Sequence, residues 1–190
     1  MDSLLISTGV VALAEMGDKT QLLAFILAAR FKKPIPIILG ILAATIINHG
    51  LAGALGAWIT SIVSPDMLRW ILGTSFIGMA IWTLVPDKIE EEETQVAKHL
   101  GVFGATFITF FLAEMGDKTQ LATIALAAHY AAPIAVIVGT TLGMMIADVP
   151  AVFVGNKFAA KIPMKLVHSI AAAIFAIMGV LTLVGIDKLL

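Results

Sequence analysis

A run of ten residues, Leu-Ala-Glu-Met-Gly-Asp-Lys-Thr-Gln-Leu, occurs twice in this chain, from Leu13 to Leu22 and from Leu112 to Leu121. Each copy lies in a stretch that is apolar enough to cross a membrane. A carboxylate near the centre of a bilayer is costly and usually marks an ion or substrate pathway. Two identical copies, one in each half of the chain, therefore predict a cation site at the interface between two repeats.

The composition predicts a membrane protein. Of the 190 residues, 59% are hydrophobic and 13% are charged, and a soluble domain of this size could not bury so much apolar surface. The first apolar stretch is interpreted as a span rather than a signal peptide, because it lacks a basic n-region and a small-residue cleavage site. About 20 residues cross the hydrocarbon core, and the predicted fold class is an all-α membrane protein with six transmembrane helices. The spans are residues 3–29, 34–60, 67–86, 100–128, 133–156 and 163–186.

The duplication continues through both halves at a constant offset of 99 residues. Aligned pairs include Pro34 with Pro133, Gly40 with Gly139 and Phe76 with Phe175. Each half then holds three spans, and an odd number of spans places the halves in opposite orientations, as in the inverted repeats of secondary transporters. The predicted division is a first repeat at 1–86, an acidic cytoplasmic linker at 87–99 and a second repeat at 100–190.

Basic residues in the loops predict the orientation of the chain. The loops after the first, third and fifth spans contain eight lysine and arginine residues, whereas the opposite loops contain only Arg69 and Lys188. The more basic side is expected to face the cytoplasm, which places both termini outside. The acidic run Glu90–Glu93 in the linker favours a solvated segment, and the alternative is an antenna that attracts divalent cations.

The repeated motif carries acidic and amide side chains three residues apart. On a helix this spacing places Glu15, Asp18 and Gln21 on one face. The equivalent residues in the second copy are Glu114, Asp117 and Gln120. A two-fold axis in the membrane plane would bring four carboxylates and two amides together. A divalent cation would remove the repulsion between the carboxylates. An all-oxygen ligand set suits Ca²⁺, Mg²⁺ or Mn²⁺ rather than Zn²⁺ or Cu⁺.

The residues between these ligands have two interpretations each. Gly17 and Gly116 either permit close helix contact or mark a local unwinding that turns carbonyl groups towards an ion. For Lys19 and Lys118, an ion pair that lowers the cost of the acidic cluster is favoured over a tethered counter-cation. The methionine after each glutamate is interpreted as a packing residue, although a thioether near the site would favour Mn²⁺ over Ca²⁺.

Three further polar residues interrupt the predicted spans. Asp148 lies in an apolar run before Pro150, and a proton or metal role is favoured for an acid in that setting. Asn48 could supply an oxygen ligand or a hydrogen bond between helices. For His49, a hydrogen bond to neighbouring backbone is favoured over a proton relay. Since His49 and Asp148 are repeat partners, the two halves can separate proton handling from metal binding.

Both motif copies resemble the E-x-G-D-[KR]-[ST] signature of a family of small membrane cation exchangers. That family includes bacterial MneA-type manganese exporters, together with Golgi and chloroplast relatives that move Mn²⁺ and Ca²⁺. The resemblance covers essentially the whole chain and implies export of Mn²⁺ or Ca²⁺ coupled to proton entry. Carried over residue by residue, the cation site falls on Glu15, Asp18, Glu114 and Asp117. The short loops resemble the bacterial members, which implies Mn²⁺ export at a bacterial plasma (inner) membrane.

Other functions remain as alternatives to Mn²⁺/H⁺ antiport. A Ca²⁺/H⁺ antiporter would use the same oxygen ligands, a divalent cation channel would not need metal and protons to compete, and a structural membrane protein would need neither. No nucleophile–base constellation, cofactor motif or cysteine is present in the sequence. We therefore expect neither an enzyme nor a resident cofactor. The expected partners are the transported ion, protons and membrane lipid, and not nucleic acid.

Overall fold

The computed structural model describes residues 1–85, 100–154 and 164–185, and all regular secondary structure in these ranges is helical. The helices are α1 (Asp2–Glu15), α2 (Lys19–Phe31), α3 (Pro34–Ile62), α4 (Pro65–Thr83), α5 (Val102–Glu114), α6 (Lys118–Tyr130), α7 (Pro133–Val154) and α8 (Met164–Val184). The predicted linker with its run Glu90–Glu93 lies outside the described residues.

Two of these helices are long and apolar enough to cross a membrane, judged by length and composition. They are Pro34–Ile62, with 29 residues and a mean hydropathy of 1.9, and Pro133–Phe153, with 21 residues and a mean hydropathy of 1.8. Val102–Glu114 and His168–Val184 are apolar but shorter. The first and fourth predicted spans are each divided into two helices, because the repeated motif interrupts them.

Proline and glycine residues set where these helices begin and how closely they pack. Pro34 opens α3 and Pro65 opens α4, at helix positions where the missing N–H costs nothing. Gly139 of α7 allows close contact with α1, since a Cβ atom there would lie 2.6 Å from the carbonyl oxygen of Leu4. Its repeat partner Gly40 plays the same part against α5, where a Cβ atom would lie 2.7 Å from the Cβ atom of Thr106.

The two halves interlock through reciprocal helix pairs. Helix α1 packs along α7, and its repeat partner α5 packs along α3. Helices α3 and α7 pack against each other, and so do α4 and α8. Most of the helix packing among the described residues is therefore between the two repeats.

Two hydrophobic clusters lie on either side of the motif copies. The first cluster joins α1, α4, α6, α8 and the start of α7, with Phe76 and Phe175 stacked at a ring-centroid distance of 6.4 Å. The second cluster joins α2, α5, the first half of α3 and the end of α7, and includes Ile41 and Phe110. The chain passes from the first cluster to the second at the first motif, and from the second to the first at the second motif. Both motifs therefore occupy the layer between the clusters.

The outer surface is rich in large apolar side chains. Ile35, Leu39, Leu51 and Trp58 are exposed along α3, and similar residues are exposed on the other helices. Soluble proteins rarely expose contiguous apolar patches of this kind. Such a surface suits contact with lipid.

Candidate metal site at the two motif breaks

The repeated motif is not a continuous helix in either copy. Helix α1 ends at Glu15, Met16 is extended with ψ 117°, and Asp18 is the N-cap of α2. The expectation that the acids and the amide of one motif share a single helix face is therefore wrong. A helix end and a helix start meet at the break instead, so Glu15 belongs to α1 and Asp18 to the start of α2.

The glycines allow this interruption. Gly17 has a φ of 82° and Gly116 a φ of 75°, in the left-handed region that other residues adopt only at a cost. A Cβ atom on Gly116 would meet no atom within 4 Å, so close packing does not require glycine there. Of the two interpretations, local unwinding is the one that the structure has.

The two breaks bring acids from both repeats to one place. One carboxylate oxygen from each of Glu15, Glu114 and Asp117 lies within 4.8 Å of the others, and all three residues are buried. Oxygens at this spacing can share one cation. Asp18 is also buried and lies at the same break as Glu15.

Each motif glutamate has one engaged oxygen and one open oxygen. Thr20 donates to Oε2 of Glu15 at 2.8 Å, and Thr119 donates to Oε2 of Glu114 at 3.1 Å. Oε1 of each glutamate is buried and accepts no hydrogen bond from the described residues. A buried carboxylate oxygen without a partner is costly, so these two atoms are well suited to bind a metal ion or a proton.

The two lysines form ion pairs across the repeat interface. Nζ of Lys118 lies 2.8 Å from Oδ2 of Asp18, and Nζ of Lys19 lies 3.6 Å from Oδ1 of Asp117. Each lysine therefore pairs with the aspartate of the other copy. This arrangement agrees with the ion-pair interpretation, since an unpaired charge at such depth would be strongly unfavourable.

The motif amides stabilise the breaks. Oε1 of Gln21 accepts a hydrogen bond from the backbone N–H of Gly17 at 2.9 Å, and Oε1 of Gln120 accepts one from Gly116 at 2.8 Å. Nε2 of Gln21 also donates to the carbonyl oxygen of Ala147 at 2.9 Å. Both ends of the Gln21 amide are thus engaged within the protein. Metal ligation by the two glutamines stays a prediction.

The three further polar residues predicted within the spans, Asn48, His49 and Asp148, are all buried. Nδ2 of Asn48 donates to the carbonyl oxygen of Phe111 at 3.2 Å, a hydrogen bond between helices and one of the two interpretations of this residue, while its Oδ1 accepts none from the described residues. Neither carboxylate oxygen of Asp148 has a hydrogen-bond partner within those residues. The same holds for both ring nitrogens of His49, so the backbone hydrogen bond favoured for it is wrong.

One contact with the motif involves a residue that the sequence reasoning missed. Nε2 of His168, on α8, lies 2.7 Å from the carbonyl oxygen of Met16. A carbonyl oxygen can only accept, so the ring nitrogen must carry the hydrogen. The sequence feature that could have identified His168 is its position in an apolar stretch, where its repeat partner is the basic residue Arg69.

These features define a class of protein. All regular secondary structure in the described residues is helical, many large apolar side chains are exposed, and buried carboxylates from two sequence repeats meet at the interface between them. Buried ionisable groups at a repeat interface are typical of membrane transporters for ions.

The family follows from comparison with known proteins. Residues 3–91 and 102–188 match the family described as "Divalent cation/proton antiporter GDT1". The chain belongs to this family and is a membrane protein of a class that transports cations, rather than of an enzyme class.

Individual relatives cover almost the whole chain. A protein of Vibrio cholerae named "Putative manganese exporter" is 51% identical over 183 residues, which is 96% of this chain and 90% of the relative. GDT1-like protein 3 of Oryza sativa subsp. indica is 30% identical over 92% of this chain and 71% of its own length. GDT1-like protein 5 of Arabidopsis thaliana is 27% identical over 93% of each chain. No solved structure matches this chain.

Proposed function

We propose that this chain exports Mn²⁺ from the cytoplasm in exchange for protons, through a site formed by Glu15, Asp18, Glu114 and Asp117. The observation that carries the proposal is the cluster of buried carboxylate oxygens contributed by both repeats. The similarity to a relative named as a manganese exporter supports Mn²⁺ as the substrate.

The proposed topology has six spans in two inverted repeats, with both termini outside the cytoplasm of a bacterial inner membrane. In this topology α1 with α2, and α5 with α6, form the two broken spans. The opposite directions in which the chain crosses between the two hydrophobic clusters support the inversion. The orientation rests on the distribution of basic loop residues.

The charges of the site suggest the exchange ratio. Among the charged motif residues, Lys118 and Lys19 balance Asp18 and Asp117, so when all of these groups are ionised the excess negative charge is that of the two glutamates. One Mn²⁺ ion or two protons would neutralise that charge equally. We therefore infer that two protons exchange for one metal ion, and such an exchange moves no net charge across the membrane.

The transport cycle follows from competition between metal and protons. Carboxylates bind metal in their deprotonated form, so Mn²⁺ entering from the cytoplasm displaces protons from the glutamates. When the site opens to the outside, protons from that side neutralise the glutamates and release the metal. Asp148, buried without a hydrogen-bond partner in the described chain, is the proposed accessory proton acceptor.

Ca²⁺ is a second candidate for the substrate. The clustered ligands are all carboxylate oxygens, which both Ca²⁺ and Mn²⁺ accept. Met115 is 57% exposed, so its thioether is not enclosed with the buried acids and offers no softer ligand there. The ligand set alone therefore does not exclude Ca²⁺/H⁺ antiport.

The test is transport by the purified chain in proteoliposomes under an imposed pH gradient. We expect Mn²⁺ flux that depends on the gradient and collapses when a protonophore is added. In competition, unlabelled Mn²⁺ should inhibit this flux most, Ca²⁺ less and Mg²⁺ least. Protein-free liposomes are the control. Stronger inhibition by Ca²⁺ than by unlabelled Mn²⁺ would indicate a Ca²⁺/H⁺ antiporter. A flux that ignores the pH gradient and follows voltage alone would indicate a channel, since each uncompensated charge gains about 2.3 kcal/mol per 100 mV.

A further inference from the structure

The two motif breaks share most of their local hydrogen bonds. In the first, Asp18 N–H donates to the carbonyl oxygen of Glu15 at 3.1 Å, and Gly17 N–H donates to Gln21. The second break has the equivalent bonds, at 3.2 Å between Asp117 and Glu114 and at 2.8 Å from Gly116 to its glutamine. The identical sequence therefore produces the same internal turn in both copies.

The breaks differ in what a distant helix contributes. The imidazole of His168 on α8 donates to the carbonyl oxygen of Met16 in the first break. The repeat partner of His168 is Arg69 on α4, which makes no hydrogen bond to the second break within the described chain. Arg69 lies instead beside Gly185, where a Cβ atom would be 3.3 Å from its guanidinium nitrogen. Among the residues that the structure describes, only the first break is therefore hydrogen-bonded to the α4–α8 pair.

The position of Met16 makes this contact relevant to the site. Met16 separates Glu15, the last residue of α1, from the turn that leads to Asp18. The carbonyl groups at a helix end lack partners inside the helix and must find them elsewhere. An outside donor to this carbonyl restricts rotation of the peptide that joins the two acids.

We propose that His168 is a positioning residue for the metal site. Its hydrogen bond to the Met16 carbonyl holds the first break in the geometry that presents Glu15 and Asp18 to the ion, and it links that geometry to the location of α8. The inference rests on the proposed function, because it assumes that these acids bind the transported metal. His168 itself does not contact the ion in this role.

The contact predicts that removal of the imidazole weakens metal binding without abolishing it. Ligand groups need to be held close to their binding geometry by supporting hydrogen bonds. The carboxylates remain when the imidazole is removed, so the ion still binds, but to a break that must first be ordered. The loss of one such bond corresponds to roughly five-fold weaker metal binding. The maximal transport rate should change less than the half-saturating metal concentration.

The experiment compares substitutions that keep or remove the N–H donor. His168→Gln retains a donor of similar reach, whereas His168→Leu and His168→Met fill the space without one. Arg69→Gln is the matched control at the equivalent repeat position. Each purified variant is tested for Mn²⁺ binding by the loss of the free Mn²⁺ electron paramagnetic resonance signal, and for Mn²⁺ uptake in proteoliposomes across a range of concentrations.

We expect roughly five-fold weaker Mn²⁺ binding for the Leu and Met variants, and near-wild-type binding for His168→Gln and Arg69→Gln. If His168→Leu fails to fold, the comparison of His168→Met with His168→Gln tests the inference. Equal affinity in wild type and a donor-free variant would overturn the inference, and so would equal impairment of the Gln variant and the donor-free variants. The binding assay separates the two proposals, since wild type that binds Mn²⁺ but does not exchange it for protons contradicts the transport mechanism alone.

Discussion

The two motif breaks have the same ten residues and unequal surroundings. Lys118 in the second copy is nearly enclosed, with 3% of its side chain exposed, whereas Lys19 in the first is 17% exposed. The Asp18 carboxylate caps its helix through the backbone N–H of Lys19, but Asp117 has no such cap bond. The comparison shows that a local sequence dictates the turn, while the packing around it decides how each charged group is solvated.

The difference extends to the helices that cover each break. Helix α8 packs on α1 and reaches the first break through His168, and α4 packs on α6. Helices α4 and α8 both join the first hydrophobic cluster, which leaves the second cluster to α2, α5 and parts of α3 and α7. The two repeats are equivalent in sequence, but their helices are thus distributed unequally between the two hydrophobic clusters.

The largest expected effect tests whether both breaks serve one site. Glu15→Gln or Glu114→Gln keeps the size of the side chain and removes its negative charge, so transport should fall by at least about ten- to hundred-fold in either variant. Folding and insertion should persist because less charge is buried. Mn²⁺ uptake and detergent-solubilised size-exclusion profiles measure the two outcomes. Near-normal transport by either variant would contradict the role proposed for that glutamate.

The pH dependence of metal affinity tests the same point from the proton side. Metal and protons compete, so lowering the pH should raise the half-saturating Mn²⁺ concentration, by up to about ten-fold per pH unit for each proton displaced. If both glutamates release a proton, a plot of the logarithm of the half-saturating Mn²⁺ concentration against pH has a limiting slope of magnitude two. A slope of one would assign proton exchange to a single break, and an affinity independent of pH would contradict the competition altogether.

The unequal burial of the lysines predicts unequal losses of stability. Lys118→Met leaves the buried carboxylate of Asp18 without its cation and should cost about 3 kcal/mol. Lys19→Met should cost less, since its longer ion pair is partly solvated. Thermal unfolding in detergent gives both values. The double variant Lys118→Met/Asp18→Asn should recover much of the loss, and equal effects of the two lysines would contradict the difference between the breaks.

The smallest effect concerns the turn that the breaks share. Gly17→Ala and Gly116→Ala force a Cβ atom into left-handed backbone and should each destabilise the protein by about 1 kcal/mol. Gly9→Ala is the control, because Gly9 is helical and an added Cβ atom meets nothing within 4 Å. That variant should be neutral or slightly more stable. A difference between Gly17 and Gly116 in the same thermal assay would mean that packing, and not backbone strain alone, governs the turn.

Several features could be predicted from the sequence because they depend on local composition. The helical fold and the family follow from apolar stretches and from the repeated acidic motif. The pairing of lysines with the acidic cluster was also predicted, since buried charges require partners. The acids and the amide of one motif do not share a helix face as predicted, because glycine at positive φ interrupts the helix inside the motif.

The sequence by itself determined which residues are candidates for the site, because two identical acidic motifs in apolar stretches leave few other uses for so much buried charge. Only the tertiary structure decided how those residues pair: each lysine with the aspartate of the other repeat, Asn48 with Phe111, and His168 with Met16. These partners are far apart in the chain. Hydrogen bonds and ion pairs depend on distances of a few ångströms, which follow from helix packing and not from sequence spacing.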